Sequence, residues 1–108
     1  MSPEDIAIFG YFTIKEGREE DCLKVMKELM QSTWTEDEGC ICYYFYLKPD
    51  SQREGVFHER WRDMDALQAH VKRLQSVYGP PAGGGPGLPE KLLEPFEKME
   101  FVPLKAIA

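Results

Sequence analysis

Glu38-Gly39-Cys40-Ile41-Cys42-Tyr43-Tyr44-Phe45-Tyr46-Leu47 and, beyond a polar loop, Val56-Phe57-His58-Glu59-Arg60-Trp61-Arg62-Asp63 carry the reading on which the fold turns. Both aromatic runs alternate with a period of two, the pattern of a half-buried strand, and after Asp63 the apolar residues recur at helical spacing. The stretch therefore predicts strand, turn, strand and helix. Asp63 is a good N-cap for that helix, whose inward stripe is Met64, Leu67, His70, Val71, Leu74 and Tyr78. A carboxylate (Glu59), an indole (Trp61) and an imidazole (His70) are thereby drawn toward one corner.

Upstream, Ile6 to Ile14 alternates as a first strand, with Ile6, Ile8, Gly10, Phe12 and Ile14 on one face and Ala7, Phe9, Tyr11 and Thr13 on the other. Lys15-Glu16-Gly17 turns the chain. Glu19, Glu20 and Asp21 then occupy a first helical turn, where the helix dipole favours acids. Cys22, Val25, Met26, Leu29, Met30, Thr33 and Trp34 form the apolar stripe of that helix. Downstream, the Gly/Pro-rich loop 79–88 is expected to be a connector or a lid. A short helix is expected to start near Pro89, and a last strand to run from Glu100 to Ile107. The order βαββαβ predicts an α+β, ferredoxin-like domain spanning 1–108, an antiparallel sheet with its helices on one face. Tyr43 and Phe45 share one parity of the second strand, Tyr44 and Tyr46 the other, so the sheet is apolar on both faces. The uncovered face needs a second copy of the chain, and a homodimer is expected.

Composition removes several classes. A net charge of −6 and an absence of clustered Lys/Arg argue against nucleic acid as a partner. No apolar run reaches the roughly 20 residues that span a bilayer, and the acidic start is unlike a signal peptide, so cytoplasmic residence is expected. The three cysteines fit no closed disulfide framework. Cys40 and Cys42 are expected on one strand face, about 7 Å apart and packing as small apolar groups. With only His58 and His70 as imidazoles, no zinc site is expected.

The residues Glu16-Gly17, Glu38-Gly39-Cys40, Tyr43, Glu59-Arg60-Trp61, Ala66-Leu67 and Ala69-His70 resemble the antibiotic biosynthesis monooxygenase family of dimeric α+β barrels. The resemblance implies a cavity between sheet and helices, and oxidation of a quinol or polyketide-like aromatic by molecular oxygen without metal, flavin or haem. His70 matches the histidine of the quinol-oxidising branch, and Trp61 the tryptophan that ends the third strand. The chain departs from other branches: Gly10 stands where haem-degrading members carry asparagine, and Gly79-Pro80 falls where their axial histidine would be. The quinol branch's second histidine is also absent, its neighbourhood reading Leu74-Gln75-Ser76.

His70 is the expected proton acceptor, since a neutral imidazole exchanges a proton near neutral pH. Trp61 is expected to stack on the substrate. Glu59 orients His70 if its face looks toward the helices, and pairs across the dimer otherwise. Gly10, Phe12 and Tyr43 complete the substrate-binding set. Two other outcomes fit the same residues: a non-catalytic dimer holding a small aromatic ligand, and an isomerase of a small carbonyl compound.

Overall fold

The computed structural model describes residues 4–83 and 87–107. Its elements follow in the order β1 (Ile6–Ile14), α1 (Glu19–Glu36), β2 (Cys40–Leu47), β3 (Glu54–Trp61), α2 (Met64–Tyr78), α3 (Glu90–Leu93) and β4 (Phe96–Lys105). The four strands form one sheet in the order β2-β3-β1-β4, with every pairing antiparallel. This is the ferredoxin-like arrangement, with α1 and α2 on one face.

Alternation along β1 and β3 decides which side chains meet the helices. Gly10, Phe12 and Ile14 are buried, as are Gly55, Phe57, Glu59 and Trp61. Gly10 is required there: a Cβ at this position would lie 2.0 Å from the Phe57 ring and 2.5 Å from the Glu100 carbonyl oxygen. Two apolar clusters fill the space beneath the helices. One joins Phe12, Ile14 and Phe57 to Cys22 and Met26 of α1. The other joins Tyr43 and Trp61 to Leu29 of α1, Ala66 and Leu74 of α2 and Leu92 of α3.

Three expectations change. The last strand begins at Phe96 rather than Glu100, because β4 pairs with β1 along its whole length, with one register shift between Thr13 and Ile14. Cys40 and Cys42 do not share a face. A bulge at Ile41 makes Cys40 pair with Trp61 and Cys42 with the adjacent Arg60, and the extra residue reverses the parity. Cys40 therefore packs against the core, while the Cys42 sulfur lies 3.8 Å from the His58 ring nitrogens on the outer face. Trp34 leaves the inner stripe of α1. It is half exposed, and its indole N–H donates to the Tyr43 carbonyl oxygen at 2.8 Å, satisfying an acceptor on β2, the edge strand.

The loop after α2 is tied at its described ends. Pro81 bridges Pro89, the Ala82 N–H donates to the Leu88 carbonyl, and the Gln75 side-chain amide donates to the Gly87 carbonyl at 2.6 Å. The tip of the expected lid, 84–86, lies outside the described residues. The sheet face opposite the helices leaves Phe9, Tyr11, Tyr44, Tyr46, Val102 and Leu104 exposed. Across it, Tyr44, His58, Phe9 and Val102 stand in one row of four adjacent strands. The His58 ring stacks on Phe9 with centroids 4.2 Å apart.

Candidate active site

Asp63 starts α2 as its sequence predicts: the Asp63 carboxylate accepts from the Ala66 backbone N–H at 2.8 Å. That cap fixes the helical phase, and the phase turns His70 inward, leaving it 2% exposed. At the far end of α1 the chain breaks at Asp37, and Gly39 allows the tight entry into β2 with φ +89. A Cβ at Gly39 would meet the Ala66 methyl at 2.7 Å, so glycine also lets the loop press against α2. The loop thereby delivers Asp37 to the imidazole.

The result is a buried ionic cluster. His70 Nδ1 lies 2.6 Å from Asp37 Oδ2. Arg73, one turn further along α2, grips the same carboxylate with two N–H groups, at 2.7 Å to Oδ1 and 2.8 Å to Oδ2. The Arg73 guanidinium also reaches the hydroxyls of Ser32 at 3.3 Å and Thr33 at 3.4 Å, linking α2 to α1. Burial alone would push the Asp37 carboxyl upward, but its bonds to Arg73 and His70 outweigh this and hold it below its ordinary value. Burial pushes His70 down, and the neighbouring Asp37 only partly opposes it. The pair is thus a carboxylate beside a neutral imidazole. Its Nδ1 carries the proton and donates to Asp37, which leaves the Nε2 lone pair available.

His70 borders a cavity of about 540 Å³ between sheet and helices, within the size range of small-molecule sites. The cavity draws walls from both apolar clusters, among them Met26, Leu29, Phe57 and Leu74. Its polar groups from the sheet are Glu59 and Tyr43; besides His70, Gln68, Lys72, Gln75 and Tyr78 come from α2 and Lys91 from α3. Burial pushes the Tyr43 phenol well above its ordinary value, so it stays protonated. Burial also pushes Glu59 up to about 7, against the opposing pull of a hydrogen bond from Trp61.

Of the residues expected to form the site, His70, Glu59 and Tyr43 are brought to the cavity wall, and Trp61, Gly10 and Phe12 are not. Trp61 is fully buried behind the wall, where stacking on a ligand is out of reach. The Trp61 ring centroid lies 4.5 Å from that of His70, and its N–H donates to Glu59 Oε1 at 2.8 Å. It positions both neighbours. Gly10 and Phe12 lie beneath the cavity lining, with Gly10 making room for the Phe57 ring that does reach the cavity. The Glu59 face of β3 looks toward the helices, yet the carboxylate that orients His70 is Asp37, which the sequence reading missed together with Arg73. The available signal was Arg73 at i+3 from His70, since a cation on an inward-facing helical turn requires a buried acid nearby.

A buried neutral base, a protonated phenol and a carboxyl group titrating near neutrality, set in an apolar cavity, are groups able to exchange protons with a bound compound. Among the described residues, no group of three or more His, Cys, Asp or Glu side chains could hold a metal ion.

Comparison with known proteins agrees with this architecture. The model of the antibiotic biosynthesis monooxygenase family matches residues 5–76, two thirds of the chain, and the chain belongs to that family. Its fold is similar to that of SnoaB, a cofactor-independent oxygenase from Streptomyces nogalater. That match has 15% identity and a TM-score of 0.69, covering 97% of this chain and 95% of SnoaB. A protein from Shewanella oneidensis matches at 19% identity and TM-score 0.71, covering 97% of this chain and 93% of its own. A conserved protein from Methanosarcina mazei matches at 20% identity and TM-score 0.70, covering 95% and 93%. No curated protein matches the chain.

Proposed function

We propose that this protein is a cofactor-independent monooxygenase that oxidises a quinol or polyketide-like aromatic with molecular oxygen, using the cavity beside His70. The observation that carries the reading is the neutral imidazole fixed by Asp37 on the wall of an apolar cavity. With an anthrone-like substrate, His70 Nε2 removes a ring-activated proton, and the electron pair left behind makes the substrate its own reductant. Oxygen adds to give a ring hydroperoxide. Loss of water then breaks the O–O bond and leaves a carbonyl, so one oxygen atom enters the ring and the other departs in water. The protein contributes proton removal, orientation and a dry site.

The working form in this reading is a homodimer joined through the exposed aromatic sheet face, and light scattering is expected to give twice the 12.5 kDa chain mass. The cytoplasm is the compartment assigned to it, in keeping with three free thiols. Among the described residues, no helix is long and apolar enough to cross a membrane.

The direct test is oxygen uptake by the purified protein in the presence of a chelator, with dithranol (a dihydroxyanthrone) as substrate. Uptake above the spontaneous rate, with the corresponding dihydroxyanthraquinone as product, supports the proposal; a rate equal to that of buffer refutes it. One observation favours a second reading, isomerisation of a small carbonyl compound. Glu59 and His70 border the same cavity, and an acid and a base on one cavity suit enolisation. Turnover under strict anaerobiosis separates this from oxygen chemistry.

A further inference from the structure

We propose that Glu59 is a second polar anchor of the cavity, its carboxylic acid donating a hydrogen bond to a carbonyl oxygen on the bound aromatic. This rests on the cavity being the ligand site of the proposed function, and it narrows the ligand class to rings bearing a carbonyl group.

Strand alternation aims Glu59 at the helices, and the residue is only 9% exposed while still bordering the cavity. Oε1 accepts from the Trp61 indole N–H at 2.8 Å, and Oε2 has no partner among the described residues. An indole nitrogen can only donate and the carbonyl oxygen is the better acceptor of a carboxyl group, so the indole favours the tautomer with the acid proton of Glu59 on Oε2. Oε2 is left open to the cavity, where its proton can meet an acceptor on a ligand. Trp61 has no freedom to turn away, being fully buried against His70.

Burial, opposed only by the Trp61 hydrogen bond, keeps the Glu59 proton in place. Tyr43, directly across β2, Cys40 on the same strand and Asp37 in the preceding loop are neutral or negative. On α2, His70 is held neutral beside Asp37. Lys72 and Lys91 border the cavity but are exposed, and neither bonds the Glu59 carboxyl. Burial thus leaves Glu59 protonated until the pH reaches about 7. Because the donating form is the protonated one, ligand affinity is highest below that value and is lost as the pH rises through it. The titration of His70 lies below 6.5 and acts on the opposite limb.

The test uses menadione as the probe, its binding read by quenching of tryptophan fluorescence in the full chain from about pH 5.5 to 8.5. The wild-type Kd is expected to hold steady near pH 6 and to rise toward tenfold per pH unit above about 7. Glu59→Gln keeps a donor at every pH, so its Kd is expected to be flat and close to the acid-side wild-type value. Glu59→Ala is expected to bind roughly tenfold more weakly throughout. A wild-type Kd that does not change across this range overturns the anchor without recourse to any variant. So does a Glu59→Gln protein that retains the wild-type pH dependence. A protein that binds menadione with the expected profile yet consumes no oxygen with dithranol removes the monooxygenase reading and leaves the anchor standing. Oxygen consumption with a flat Kd does the reverse.

Discussion

Replacing Asp37 with alanine is expected to lower the unfolding free energy by about 3 kcal/mol, read as a shift of the urea midpoint at unchanged slope. The carboxylate is 5% exposed and is shared by an imidazole N–H and two guanidinium N–H groups. Removing it strands Arg73 between α1 and α2 with only two hydroxyl contacts, and removes the acceptor that fixes the His70 tautomer. Breaking one partner of a buried ion pair costs about 3–5 kcal/mol, and the partial exposure of Arg73 places this case at the lower end. The pH dependence has a definite sign. The folded-state values of both Asp37 and His70 are depressed, so each contributes stability above its unfolded value and loses it as the pH falls through its folded one. The His70 contribution should therefore decline below pH 6.5, where the raised Glu59 acts with the opposite sign, and the Asp37 contribution below 3.8, a decline that Asp37→Ala should lack.

The second large effect falls on rate. His70→Ala is expected to lower oxygen uptake with dithranol by about a hundredfold, the low end of what a positioned general base contributes, while far-UV circular dichroism stays unchanged. The wild-type rate should fall on the acid side with a midpoint below 6.5, because protonated His70 has no lone pair to offer. Equal rates in wild type and variant would take the imidazole out of the mechanism. The Asp37 protein distinguishes orientation from chemistry: it keeps the base but frees the ring, so a loss smaller than that of His70→Ala is expected.

Much of this was legible in the chain because it is written in short-range pattern. The aromatic runs around Tyr43 and Phe57, the Asp63 cap and the 3.6-residue spacing through Leu67, His70 and Leu74 each report a local preference that the fold keeps. The parts that were hidden depend on contacts between distant segments. Asp37 sits in the run Glu36-Asp37-Glu38, which reads as a solvated acidic turn; only the packing of α1 beside α2 brings it to a residue 33 positions away. The bulge at Ile41 has no signature of its own in an unbroken β-prone run, and it sends Cys42 to the opposite face from Cys40. The sequence places Trp61 on the Glu59 face of β3 without fixing which way that face looks, and burial is a matter of degree. A fully enclosed indole braces the acid and the base beside it and has no face left for a substrate.

The proposed dimer face and the cavity are linked through the sheet they share. Glu59 and His58 are neighbours on β3, yet one faces the cavity and the other stacks on Phe9 on the exposed side. Tyr43 and Tyr44 divide in the same way on β2. Alternation thus lets one aromatic strand pair serve two surfaces at once, which explains why both parities are apolar in so small a domain.

The measurement that bears most directly on the central claim is a nitrogen-15 NMR titration of His70, assigned by comparison with His70→Ala, with and without menadione. The account predicts a neutral ring above pH 6.5 with its proton on Nδ1, a titration midpoint below that value, and a shift of the Nε2 resonance when the ligand binds. An imidazolium at neutral pH, a proton on Nε2, or an Nε2 signal indifferent to saturating menadione would contradict it.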